Sequence, residues 1–230
     1  VTPEALRVRA LGGIFRNSSF NFWRNIMPNW CANSLRLTPT TPDSEKKFAE
    51  IVAELERAQS ARESANIFNL IKPIPEALRI TAGWLGKDTP EQAELEAREQ
   101  LNQKLYGYRN WYEFCTGEWG TKWDAKTDDD EPFKIDGNQV TIQFDTAWSP
   151  PMGIYHALED MGFKVEATYI EQGMGYIGYY SDGIDKCEEM KQFYAKSGEE
   201  PDEDDYFPTD AIVEFFEKSG FDHSPSNWGG

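Results

Sequence analysis

Residues 139–148 constrain this chain most, because polar and apolar residues alternate from Gln139 through Asp145. Val140, Ile142 and Phe144 fall on one side of an extended strand, and Thr141, Gln143 and Asp145 on the other. Such period-two alternation marks a strand with one face against a core. Ser149-Pro150-Pro151 then stops the strand and opens a helix, with serine placed to cap it and proline at an early position. Ile154, Leu158 and Met161 form the apolar stripe of that helix, and Gly162 before Phe163 ends it. A half-buried strand that leads straight into an amphipathic helix requires a layered fold.

The same reading extends along the rest of the chain. Residues 30–38 form a strand with Cys31, Asn33, Leu35 and Leu37 on one face. Thr41-Pro42-Asp43 starts a helix that runs to about Gln59, with Phe48, Ile51, Val52 and Leu55 at helical spacing. Residues 62–117 read as a helical insertion, including a short helix over 76–84. Within it Thr89-Pro90-Glu91-Gln92 is a capping box, Leu101, Leu105 and Tyr108 share a helix side, and Asn110 caps a short helix. Residues 121–126 are expected to be a strand, with Trp123 and Asp124 on opposite faces. Asp136-Gly137 is a turn, 164–171 and 176–180 are strands about a Gly173/Gly175 turn, and 185–196 and 209–219 are helices. Without the insertion the order is βαββαβ plus one strand. This is an α+β, ferredoxin-like sandwich: an antiparallel sheet with helices on one face.

Trp119 and Trp123 flank Gly120 and Thr121 where the insertion meets the sheet. Both are expected to be packing residues that lock the insertion down, and not a ligand platform.

Composition excludes several classes of protein. The 230 residues are 39% hydrophobic and 14% aromatic, enough for a real core, and no apolar run has the length of a membrane span. The formal charge of −17 argues against direct nucleic-acid binding and suits a basic partner. Cys31, Cys115 and Cys187 are far apart and odd in number, so no disulfide framework or zinc site is indicated and a cytoplasmic setting fits. Residues 1–26 are basic, with four arginines against Glu4, and are read as a non-native or disordered extension ahead of a start at Met27. The ferredoxin-like domain is then 27–183, and 184–230 is an acidic helical extension and tail.

Three motifs carry a family resemblance. Met27-Pro-Asn-Trp-Cys31-Ala-Asn33, Trp119-Gly-Thr-Lys-Trp-Asp124-Ala125 and Phe144-Asp-Thr-Ala-Trp148-Ser-Pro-Pro151 resemble the YubB-type proteins of phages and conjugative plasmids, as does Tyr169-Ile-Glu171-Gln-Gly173. The resemblance covers about Met27 to Tyr180. It implies a ferredoxin-like domain and brings no established reaction or ligand.

The polar candidates for a binding site are Asn33, Lys122, Asp124, Asp145, Trp148, Glu171 and Tyr176. No catalytic residue, metal or cofactor is singled out. Two functions are carried forward. One is a non-catalytic acidic protein that binds a host protein, with a basic nucleic-acid-binding surface as its target. The other is an enzyme or small-ligand binder using Asp124, Asp145 and Glu171 on the sheet face away from the helices.

Overall fold

β1 (Trp30–Pro39) is the strand around which the sheet is built. It pairs antiparallel with β4 (Gln139–Ala147) on one side and β5 (Phe163–Glu171) on the other. β2 (Lys126–Thr127) and β3 (Phe133–Asp136) both pair with β4 at the outer edge. β6 (Tyr176–Ser181) and β7 (Ile184–Glu189) continue the sheet beyond β5, giving the order β2-β4-β1-β5-β6-β7 with β3 beside β4. The structure is a computed structural model that describes residues 29–127 and 132–190.

Register sets the two faces. Leu35 lies opposite Ile142 and Ala167, and Leu37 opposite Val140 and Val165. Directly opposed residues share a face, so these six form one apolar surface. α1 (Pro42–Ala61) and α5 (Met152–Asp160) cover it with Ile51, Leu55 and Ala58 from one helix and Ile154, Tyr155 and Leu158 from the other. This is the ferredoxin-like arrangement that the alternation predicts, extended by two strands.

The helical block lies between α1 and the second half of the sheet. It comprises α2 (Ile67–Ile71), a 3-10 turn (Glu76–Leu78), α3 (Pro90–Tyr106), α4 (Trp111–Phe114) and a π turn (Cys115–Trp119). Phe68 joins it to the sheet, edge-on to Phe144 at 5.6 Å and to Trp119 at 5.8 Å. Among the described residues, no helix is long and apolar enough to cross a membrane.

Local chemistry explains the helix starts. Thr41 accepts from the Ser44 N–H at 3.1 Å while Ser44 Oγ accepts from the Thr41 N–H at 2.9 Å, a reciprocal cap. Thr89 caps α3, but the Gln92 side chain accepts from the Leu85 N–H instead of closing the box. Asn110 Oδ1 accepts from the N–H groups of Tyr112 and Glu113, as expected. Ser149 does not cap α5. Its hydroxyl donates to Gly120 O at 2.6 Å, and the backbone N-cap is Pro151.

Other expectations are corrected. Residues 121–125 are a bent loop, and pairing begins only at Lys126. Side chains there bond to distant backbone, which competes with a strand ladder: Thr121 donates to Ala147 O, and Asp124 accepts from α2. Residues 184–189 are β7 and not the start of a helix. Asp182 and Gly183 both adopt positive φ, 52° and 73°, the two-residue hairpin that returns β7 along β6. Leu101 and Leu105 are exposed, because α3 buries Gln92, Leu95 and Asn102 instead. Only 76–78 of the expected 76–84 helix forms. The expectations for residues 1–26, the 190–196 part of the first C-terminal helix, the helix at 209–219 and the tail concern residues that are wholly or almost wholly outside those described.

One ion pair leads to a pH prediction. Glu54 accepts from Arg57 Nε at 2.7 Å, from Arg57 Nη2 at 2.8 Å and from the Asn66 N–H at 2.9 Å. The Arg57 bond dominates and lowers the Glu54 pKa from 4.5 to about 2. A carboxylate with a depressed folded pKa stabilises the fold above its unfolded pKa and loses that contribution as pH falls toward the folded value. Urea midpoints should therefore fall between pH 5 and pH 3. In Glu54→Gln the fall should be shallower; an identical slope would show that this pair is inert.

Candidate functional site

The three carboxylates of the enzyme reading do not meet. Asp124 accepts from the N–H groups of Phe68 at 2.7 Å, Asn69 at 2.9 Å and Ala125 at 2.8 Å. It therefore caps α2 from outside the sheet. Burial pushes its pKa up, against the downward pull of those three donors. Glu171 is fully buried and accepts from the N–H groups of Gly173, at 2.9 Å, and Met174. It shapes the β5–β6 turn, on the same face as Cys31. Asp145 lies on the opposite face, across from Ala32 and Lys126. Among the described residues no group of three or more His, Cys, Asp or Glu is placed to hold a metal.

The sheet face away from the helices is not an open platform. Ser34, Thr168, Ile170 and Ile177 lie on it and are buried, Thr168 and Ile177 completely. Lys122 and Asp124, expected on this face, belong to the loop before β2. Asn33 is buried among structural partners: it donates to Cys31 O at 2.7 Å and to Thr146 Oγ1 at 2.9 Å, and accepts from Tyr155 OH at 3.2 Å. Burial raises the pKa of the Cys31 and Cys115 thiols, Cys115 to about 12, so neither is an activated nucleophile. A cleft of about 490 Å³ in the helical block is lined by Trp84, Glu96, Glu99, Arg109 and Tyr112. Its acids are engaged locally: Glu96 with Gln92, and Glu99 with Asn110.

Removing the Asp124 carboxylate tests the capping role. Asp124→Ala leaves two α2 donors unpaired and should cost about 1–2 kcal/mol, read as a lower denaturation midpoint. Unchanged stability would show that water replaces the cap.

Lys122, Trp148 and Tyr176 do come together. Trp148 stands at φ +71°, a left-handed conformation that is costly for a bulky side chain. Both of its backbone groups are engaged: its N–H donates to Asn29 O at 2.8 Å and its carbonyl accepts from Tyr176 OH at 2.7 Å. The Ser149 bond to Gly120 and the Thr121 bond to Ala147 fasten the 120–124 loop beside it. The indole is thereby held on the surface, 42% exposed.

Other rings gather around it. Lys122 Nζ lies 4.3 Å from the Trp123 ring centre, 5.5 Å from Trp148 and 5.8 Å from Tyr112. Lys126 Nζ lies 5.0 Å from Trp30, whose ring is 6.0 Å from Trp123. These are cation–π contacts on an exposed aromatic patch. Trp123 is 38% exposed and not the core residue expected from the motif. The strand it was assigned to does not form, so its ring turns outward onto Trp30. Trp119 alone packs inside, 2% exposed, its indole donating to Lys72 O at 2.9 Å.

Sequence reading named Lys122, Trp148 and Tyr176 but missed Trp30, Tyr112, Trp123 and Lys126. The usable signal was register: Trp30 alternates onto the face away from the helices, toward the strand that begins at Lys126.

The fold places this molecule among ferredoxin-like α+β domains. More particularly, residues 118–205 match the family described as a ferredoxin-like domain in Api92-like protein, so such a domain is present in the second half of the chain. The chain is also similar to a crystal structure of a protein api92 from Yersinia pseudotuberculosis, at 13% identity and a TM-score of 0.36, over 70% of this chain and 98% of that one. No curated protein matches.

Proposed function

We propose that this is a non-catalytic binding protein of phage or plasmid origin, of YubB type. It acts in the host cytoplasm by occupying the basic surface of a host defence or nucleic-acid-processing protein. The observation that carries the reading is the patch of Trp30, Tyr112, Trp123 and Trp148 around Lys122 and Lys126. Tyr112, Trp123 and Trp148 are exposed and Trp30 is half-buried beside them; grouped exposed aromatics are uncommon on a surface without a partner, and Trp and Tyr are the usual anchors of protein interfaces. The net charge of −17 supports the choice of a basic partner, since it would steer that encounter and repel nucleic acid itself.

The test is capture from host lysate by the full chain and by Trp148→Ala and Trp123→Ala. The expected catch is a nucleic-acid-binding protein that nucleic acid displaces and that higher salt weakens. Each variant should lose about tenfold or more in affinity, while the melting temperature changes by no more than about 3 °C. Capture that is equally strong in both variants, or no nucleic-acid-binding protein at all, would overturn the proposal.

A further inference from the structure

We infer that Tyr112, Trp123 and Trp148 form a cage for one cation, that Lys122 fills it as a placeholder, and that an arginine guanidinium of the basic partner replaces Lys122 there. The inference rests on the patch being the recognition surface and names the side chain that surface takes. The cage is shown by its occupant. Lys122 Nζ lies 4.3 Å from the Trp123 ring centre, 5.5 Å from that of Trp148 and 5.8 Å from that of Tyr112. All three distances are inside the roughly 6 Å at which a ring face attracts a cation. Significant cation–π pairs occur about once per 70–80 residues, so three rings on one nitrogen are not a chance contact. Lys122 is half-buried, although all three rings are themselves exposed. The lysine has turned inward among them, whereas a surface lysine usually keeps its head in water.

The rings are set in place without Lys122. Trp148 is fixed by its backbone bonds with Asn29 and Tyr176. Tyr112 stands in the first turn of α4, where its N–H donates to the Asn110 cap at 3.1 Å. Trp123 is braced by the Trp30 ring, 6.0 Å away and tilted by 36°. A cage held by contacts of its own stays assembled when its cation leaves, so the incoming group meets a preformed site.

Arginine is the cation that suits the exchange. Its guanidinium is planar, stacks on ring faces and is weakly hydrated, whereas an ammonium is a compact and strongly hydrated charge. An arginine therefore gives up less water on entering the cage and gains more ring contact than Lys122 does. Lys122 leaves by swinging its flexible stem into solvent, with no change of backbone. The net charge of −17 draws an arginine-bearing surface toward the patch. The placeholder also sets specificity: with a cation already among the rings, a plain apolar side chain has nothing to offer that would displace it.

Indole N–H resonances of the isotope-labelled full chain test this, with acetyl-arginine amide as the probe and its neutral isostere acetyl-citrulline amide as the control. The arginine probe should shift the Trp123 and Trp148 signals and leave that of buried Trp119 in place. The citrulline control should shift none of them. Lys122→Met keeps an apolar stem and removes the placeholder, so affinity for the arginine probe should rise about threefold or more. Lys46→Met makes the same change in net charge on α1, which starts beyond Pro39, at the opposite end of β1 from Trp30. Screening across that distance should hold its effect on affinity to less than about 1.5-fold. No shift with the arginine probe, equal shifts with both probes, unchanged or weaker binding in Lys122→Met, or an equal gain in Lys46→Met would overturn the inference. No readout includes a host partner, so the cage can bind arginine while capture from lysate fails, and the reverse.

Discussion

Gly153→Ala is expected to abolish the native fold. A Cβ at residue 153 would sit 2.1 Å from Glu118 O and 2.8 Å from Glu118 C, both backbone atoms of the π turn. Neither side can give way easily. α5 is held by Ile154, Tyr155 and Leu158 in the core, and the π turn by Trp119. Gly120, at φ +86°, makes the reciprocal approach: its Cβ would lie 3.1 Å from Met152 N. Overpacking where side chains can shift costs about 1–3 kcal/mol, and a clash between two backbones should exceed that. Near-ultraviolet circular dichroism should show lost tertiary packing, with little soluble protein recovered. A variant that melts within a few degrees of the parent would mean that the helix and the π turn are not in contact in solution.

Trp119→Ala should be the second largest effect. The indole packs against Phe68 and Phe114 and donates to Lys72 O. Truncating a buried aromatic costs about 3–5 kcal/mol, a large share of the 5–15 kcal/mol that holds a typical domain. The orphaned Lys72 carbonyl adds to the loss. The melting temperature should fall by about 10 °C or more, whereas Trp123→Ala, on an exposed ring, should leave it nearly unchanged. Equal effects at the two positions would contradict the division of labour between them.

That division shows where sequence reading reaches its limit. Trp119 and Trp123 are four residues apart in one motif and looked alike as packing residues. Their separation depends on Asp124, whose carboxylate is drawn to the start of α2, more than fifty residues earlier in the chain. That bond and the Thr121–Ala147 bond keep 121–125 out of the sheet and turn Trp123 outward. No local pattern carries such information, because the competing partners are distant in sequence. The proposed carboxylate site was misread for the same reason: Asp124, Asp145 and Glu171 are alike as residues but were assigned to one surface before their partners were known.

What the sequence determined by itself was the layered core. Alternation from Gln139 through Asp145, the Cys31-Asn33-Leu35-Leu37 face and the helical spacing in α1 and α5 each report burial through local geometry alone, and the observed register unites them. Hence the ferredoxin-like sheet was legible. Only the tertiary structure decided β7, which needs the edge of β6 as a template, and the surface patch, whose rings and lysines come from β1, α4, the 120–124 loop, β2 and the residue after β4. A periodic pattern records which side of an element is buried. It does not record which exposed side chains from separate elements end up as neighbours, because that depends on distances set by the whole fold.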